Sequence, residues 1–495
     1  MRGSSEAGTV GQRETRRIVI VGAGPGGMCT AIKLREAGIE DFVILEQASG
    51  VGGTWHNNTY PGLECDVRSH LYSFSFAPKR DWTRPYPSQP EILEYLQGVA
   101  EKYAILPHIR LGTQVRSARW DEEACVWHVE TDGGGIDAQV VVSAMGMFNV
   151  IKWPDIQGLE DFRGTLFHSA RWNHRHDLSG EAVAVIGSAA SAVQLAPEIA
   201  PHVAQLFLFQ RSASWVIPKE NDPFTEEQIR RFLDDPDAAR LERAKILGEV
   251  EAGLTFSDPE IRRQCEAAGR QALSVVEDAD LRARLTPTVP WGCHRPLWSN
   301  KYYPMFNRTN VELVTDPIER ITADSIVTVD GKTRRVDTIV AATGFDVGRF
   351  LSAIDVTGRG GRKLEDAWKD GAEAYLGITT TGFPNVFMLY GPNTNNGSIL
   401  TMLEHQADYI VRQIARMEAE EIAWMDVRRD AMARYNERVQ RELSQVEVWQ
   451  AACHNYYRAA SGRIVTQWPN RMDEYQRRAC EPDANAYETG KMDLR

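Results

Sequence analysis

No Cys-x-x-Cys pair occurs in these 495 residues, which excludes the dithiol of a disulfide reductase and the paired ligands of a zinc ribbon. The seven cysteines, Cys29, Cys65, Cys125, Cys265, Cys293, Cys453 and Cys480, are odd in number and widely scattered, the pattern of reduced intracellular thiols. No Gly-x-Ser-x-Gly elbow is present, so a hydrolase of that kind is ruled out. The eleven histidines form no His-x-x-x-His with an acid, and no metal site is expected from them. No apolar run approaches the roughly 20 residues needed to span a bilayer, and no repeat of about 20 to 50 residues is evident. Positive charge is also short: 56 Lys and Arg against 68 Asp and Glu leave a net charge of -12. That balance disfavours nucleic acid or an anionic membrane as the main partner, while leaving room for a local phosphate pocket.

What remains is ordinary globular material, 43% hydrophobic and 25% charged, in a chain long enough for two or three domains. The polar start lacks a signal-type apolar core, so residues 1–15 are expected to be a disordered arm on a cytoplasmic protein. Ile18 to Val21 then forms a continuous β-branched run ending at Gly22, as a buried parallel strand does. Gly22, Gly24 and Gly27 supply Gly-x-Gly-x-x-Gly, a helix follows over Met28 to Ala37, and a second strand, Phe42 to Leu45, ends in Glu46. This is the whole dinucleotide fingerprint. The glycines admit the pyrophosphate, the helix N-terminus faces it, and the acid accepts from a ribose hydroxyl.

A second copy begins with the strand Val183 to Ile186 and continues through Gly187, Ser188, Ala189, Ser191 and Ala192 into a helix over Val193 to Ala200. Here Ala189 stands where the second glycine would be and crowds a pyrophosphate. Its next strand, Leu206 to Phe209, leads to Arg211 instead of an acid, a cation suited to a 2′-phosphate. The pairing predicts FAD in the first unit and NADPH in the second. Charge-rich helices over 221–284 read as an excursion with mostly solvated charges, and Gly133 to Gly135 as a hairpin turn. Strand signals return at Val336 to Ala341 and Val386 to Tyr390. The expected architecture is α/β with two Rossmann-like dinucleotide-binding domains. A discontinuous FAD domain (16–148 and 336–495) would hold an inserted NADP domain (149–335) that carries the helical excursion.

Between the two units, Phe162, Gly164, His168 and Trp172 match Phe-x-Gly-x-x-x-His-x-x-x-Trp, and the segment resembles the fingerprint of type I Baeyer–Villiger monooxygenases, class B flavoproteins. Asn173 departs from the family's Pro or Asp. Gly52 to Trp55 with Tyr60 to Gly62 and Cys65–Asp66, then Gly292 to Pro296 with Tyr302 and Tyr303, Ala342 to Asp346, and Gly391 to Thr394 extend the resemblance over nearly the whole chain. Gly462–Arg463 through Trp468–Pro469 is similar to the branch that includes 4-hydroxyacetophenone monooxygenase, a lean toward bulky or aromatic ketones.

The resemblance implies a reaction in which NADPH reduces FAD, O2 adds to give a flavin peroxide, and one oxygen atom enters beside a ketone carbonyl to give an ester or lactone. It implies Arg295 as the fixed cation for negative oxygen and Asp66 as the carboxylate orienting it, with a buried structural ion pair as the alternative. Thr54, Trp55, Gly344 and Asn393 are implied on the flavin side. His294 stands where the family has lysine against the 2′-phosphate, and Lys219, read as mostly solvated, is a possible substitute for it. His168 is expected to be structural and to serve domain movement, not to act as a base. Two other functions use the same parts: a heteroatom oxygenase acting on sulfur or nitrogen, and a dinucleotide-binding flavoprotein that oxygenates nothing. Substrate identity and oligomeric state do not follow from the residues.

Overall fold

The structure is a computed structural model that describes residues 13–254, 256–451 and 455–492. Its first unit is organised by β1 (Glu14–Val21), α1 (Pro25–Glu36) and β2 (Phe42–Leu45), with β1 and β2 parallel and paired from Ile18↔Phe42 to Val21↔Leu45. Every residue of those two runs is buried, as a strand covered on both faces requires. β3 (Ile109–Arg110) extends the sheet beyond β2, and the antiparallel strands β4 (Val115–Asp121), β5 (Val126–Thr131) and β6 (Gly134–Ser143) lead back to β1. The β5–β6 turn falls at the expected glycines. The start differs from expectation, because Glu14 and Thr15 already pair with Ile136 and Asp137. Arg13 is ion-paired with Glu130 and Asp137, so the carboxylates of the meander order the segment from residue 13 onward. Residues 1–12 of the expected arm lie outside the described ones.

The second unit contains β7 (Thr165–His168), β8 (Ala182–Ile186), α2 (Ala190–Ile199) and β9 (Gln205–Phe209). Four helices follow: α3 (Glu226–Asp234), α4 (Pro236–Leu254), α5 (Pro259–Leu273) and α6 (Ala279–Leu285). β10 (Val311–Val314) and β11 (Thr338–Ala341) complete a parallel sheet in the order β10-β9-β8-β11-β7. The placement of β11 corrects the expected division at residue 336. Thr338 to Ala341 pair with β8 on one side and β7 on the other, so this strand closes the nicotinamide-side sheet and does not open the returning flavin part. A β-branched run followed by glycine announces a buried parallel strand and carries no information about which sheet receives it. The return begins at β12 (Asp355–Thr357), beside β4, and β13 (Val386–Met388), beside β6. α7 (Ile399–Ala419) then packs across α1.

The excursion is not wholly a solvated face. Arg243 on α4 is half-buried against the flavin unit, donating to the carbonyls of His70, Leu71 and Ser73 at 3.3, 2.9 and 2.7 Å. Arg68 answers from the other side with Glu242 at 2.8 Å and Glu249 at 2.5 Å. Glu251 is buried, 5% exposed, and accepts from the Met472 amide at 2.8 Å. The cysteines need a second correction: Cys29, Cys65, Cys125, Cys265 and Cys480 are free, whereas Cys293 is disulfide-bonded. Cys453 lies outside the described residues.

Gly27 marks where strand and helix come closest. A Cβ there would meet the Gly22 carbonyl oxygen at 2.0 Å. Gly27→Ala is therefore expected to push α1 off β1 at a cost of roughly 1–3 kcal/mol. Differential scanning fluorimetry should show a lower melting temperature and earlier flavin release, and an unchanged melting temperature would show that the helix yields freely.

Candidate active site and cofactor clefts

Gly22 takes φ +107°, and Gly24 is the N-cap of α1 with no side-chain cap. The second unit repeats this, with Gly187 at φ +118° and Ala189 as the uncapped N-cap of α2. The excursion helices contrast with both: Thr225, Asp258 and Asp278 each close their own helix with a side-chain oxygen. Leaving the first amides of α1 and α2 without side-chain partners keeps donors and a positive helix end available for phosphate.

In the first unit these donors open onto a cleft bounded by Gly22, Gly24, Glu46, Thr54, Trp55 and Tyr72. Glu46 is 5% exposed, and its two oxygens accept from the amides of Ala23 at 2.7 Å and Ala48 at 2.8 Å. That fixes the carboxylate at the end of β2 with lone pairs to spare for a ribose. A Cβ on Gly53 would come within 2.9 Å of the Gly24 Cα, so two glycine turns clasp the place where the pyrophosphate would lie. Trp55 donates to the Tyr72 hydroxyl at 2.8 Å, with the rings edge to face at 5.6 Å. Leu389, Tyr390 and Leu403 complete the far wall. These residues fit FAD: glycine turns at the diphosphate, an acid at the ribose, and an apolar and aromatic end for the ring system.

Two residues implied on the flavin side are not in that cleft. Asn393 is 2% exposed, and its amide nitrogen donates to the carbonyls of Ile464 at 2.9 Å and Gln467 at 3.1 Å. Its side chain ties the C-terminal segment down. Gly344, at φ +76°, follows β11, and its carbonyl accepts from the Lys152 amide at 3.0 Å, pinning the linker.

In the second unit a Cβ on Gly187 would meet the Ala342 carbonyl oxygen at 2.4 Å, while Ser188 donates to the Ser212 carbonyl at 3.4 Å. Ser191 faces the Tyr60 hydroxyl, and that hydroxyl donates to Gln194 at 3.1 Å. Arg211 is exposed at the end of β9 and makes no ion pair among the described residues. His294 is half-buried beside Arg295. Lys219 departs from the solvated reading: it is buried and in contact with Glu64 at 2.6 Å. Burial of an ammonium needs such a partner, and Glu64 lies too far off in the chain to be foreseen. Tyr302 and Tyr303, expected beside the arginine segment, are buried in the core of the second unit.

The two units meet at Arg295, whose Nη2 lies 3.0 Å from Asp66 Oδ2. The guanidinium is 41% exposed and the carboxylate 12%. Desolvation is the largest single influence and opposes the charge, but Asp66 and the neighbouring tyrosine oxygens together outweigh it, so the pKa of Arg295 is raised. Tyr456, Tyr390 and Tyr457 also lie within electrostatic reach of the guanidinium. None of the three announces itself by spacing.

The fingerprint residues hold the linker against β11. Phe162 is 8% exposed, and a Cβ on Gly164 would meet the Asp337 carbonyl oxygen at 2.2 Å. Trp172 packs edge to face on Phe167 at 5.1 Å. His168 is 1% exposed, and its Nδ1 accepts from the Ala170 amide at 3.1 Å. Burial, with help from the charge of Arg171 and against a backbone hydrogen bond to Gly344, lowers its pKa to about 4.

This arrangement defines a flavoprotein oxidoreductase that uses FAD and NADPH. The family model described as pyridine nucleotide-disulphide oxidoreductase matches residues 19–251. A Baeyer–Villiger monooxygenase of Pseudomonas aeruginosa is 40% identical over 95% of this chain and 91% of its own. Among solved structures, closed cyclohexanone monooxygenase superposes with a TM-score of 0.88 at 28% identity, covering 97% of this chain and all of that one. The complex of OTEMO with FAD and NADP gives 0.86 at 27% identity, with 97% and 100% covered. The chain belongs to the Baeyer–Villiger monooxygenase family. Among the described residues no helix is long and apolar enough to cross a membrane.

Ala189→Gly is expected to tighten NADP+ binding by roughly tenfold, measured by titrating the flavin absorbance change; an unchanged constant would mean the methyl stands clear of the phosphates. A second test concerns His168, whose folded pKa of about 4 lies below its ordinary 6.5. The unfolded chain therefore binds this proton first, and stability is lost as pH falls from 6.5 toward 4. In His168→Gln the melting temperature should fall less steeply over that range, whereas equal slopes would show that the ring is not held neutral.

Proposed function

We propose that the Arg295–Asp66 pair carries oxygen insertion into a bulky or aromatic ketone, giving an ester or lactone. The balance is one ketone, O2, NADPH and a proton in, and one ester, NADP+ and water out. FAD, once bound and reduced by NADPH, supplies the activated oxygen. The residues supply charge control. As the carbonyl is attacked, negative charge builds on oxygen, and a guanidinium fixed by its carboxylate partner stabilises it without reorganising. Asp66 keeps the fork oriented and the cation affordable in that setting. The observation that carries this reading is the 3.0 Å contact between a cation from the segment after the excursion and an acid from the flavin-side segment. Trp55 and Tyr72 would line the flavin ring. The Tyr390, Tyr456 and Tyr457 phenols near the guanidinium favour an aromatic or otherwise bulky substrate. At the second unit, Arg211 would hold the 2′-phosphate, with His294 adding to it in its protonated form.

The test is product mass from FAD-loaded protein with NADPH under oxygen-18, offered cyclic, aryl and long-chain ketones and a sulfide. One labelled oxygen in an ester or lactone is expected. Arg295→Ala should lower ester formation by roughly 100- to 1000-fold and Asp66→Asn by about 10- to 100-fold, each with FAD content unchanged. Label found only in sulfoxide would replace this reading with heteroatom oxygenation, and full activity in Arg295→Ala would reduce the pair to a structural role.

A further inference from the structure

The flavin cleft is poor in charge. Among the described residues that line it, Glu46 is the sole anion and Arg171 the sole cation. A dinucleotide diphosphate brings about two negative charges, and the α1 terminus offers roughly half of one positive charge in return. Glu46 makes the imbalance worse. We propose that Arg171 is the counter-cation of the FAD diphosphate, carried to the flavin by the linker between the two units.

Arg171 is placed for this work. It ends the short turn Ser169–Arg171, in which Ser169 and Ala170 are each 1% exposed while Arg171 is exposed. Its one side-chain hydrogen bond among the described residues goes to the neighbouring Ala170 carbonyl, at 2.8 Å, and no carboxylate there pairs with it. The backbone belongs to the other unit: His168 pairs with Ala341 in the nicotinamide-side sheet, and the His168 Nδ1 caps the turn through the Ala170 amide. So the main chain is fixed to one sheet while the residue lines the cleft of the other. A guanidinium fork matches two phosphate oxygens. The fingerprint residues thereby gain a physical task, since His168 and Trp172 hold the turn that presents the cation, and linker position becomes coupled to flavin binding.

This inference rests on the cleft being the FAD site, which the yellow flavin absorbance of the purified protein checks separately. Arg171→Ala and Arg171→Lys are prepared as holoenzymes. Their FAD dissociation constants are read from the rise of free-flavin fluorescence on dilution, at low and high potassium chloride, and their NADP+ constants from flavin absorbance. Arg171→Ala should weaken FAD roughly 10- to 100-fold and flatten its salt dependence, Arg171→Lys should recover part of the loss, and NADP+ binding should stay within about twofold. FAD binding as in the parent protein overturns the proposal, as does a loss confined to NADP+, which would assign the cation to the other cofactor. Arg171→Gln carries the same test if the alanine variant does not fold.

Discussion

A guanidinium held charged against a carboxylate at the junction of the two units is the constraint around which those units are arranged. Desolvation works against the Arg295 cation, and the attraction of Asp66 together with that of the Tyr456, Tyr390 and Tyr457 oxygens overcomes it. Neither residue's own unit supplies both halves, because Asp66 follows the flavin-side turn and Arg295 follows the excursion. The pair exists only while the units are held together, and the surrounding contacts do that. Arg243 reaches from α4 into three carbonyls of the flavin unit, Arg68 meets Glu242 and Glu249, and Lys219 meets Glu64. An excursion that reads in sequence as a solvated helical insert is, in the fold, the brace that fixes the distance between cation and acid.

The parts of this molecule that were legible in sequence are those whose meaning is local. Gly22 and Gly27 are dictated by a turn and a helix packed onto the strand beside them, and Phe42 to Leu45 by burial on both faces. Glu46 follows from the end of that strand. The Arg295–Asp66 partnership became visible through family resemblance, since no spacing rule joins two residues so far apart. What failed was long-range in origin. Thr338 to Ala341 are a strand by composition, but their sheet depends on which edge is open. Asn393 has the chemistry of a ligand contact and is consumed by Ile464 and Gln467. Arg171 sits inside a motif whose other members are packing residues, and its charge acquires a target only when the linker is seen crossing the flavin cleft.

The two nucleotide-binding termini are built alike and finished differently, and the difference follows the fate of each ligand. In the first unit, Gly24 lies so close to Gly53 that a side chain on Gly53 would press into it, an acid is locked at the ribose, and a linker cation faces the cleft. Such an enclosure slows release, which suits a cofactor that stays bound through every cycle. In the second, an exposed Ala189 methyl stands at the helix end, and the nearest candidate for a 2′-phosphate is a solvent-exposed arginine. NADPH is consumed at each turnover and must leave, so tighter binding there would slow exchange without helping the chemistry. The alanine that looks like damage to a glycine motif is, on this argument, consistent with a site built to let go.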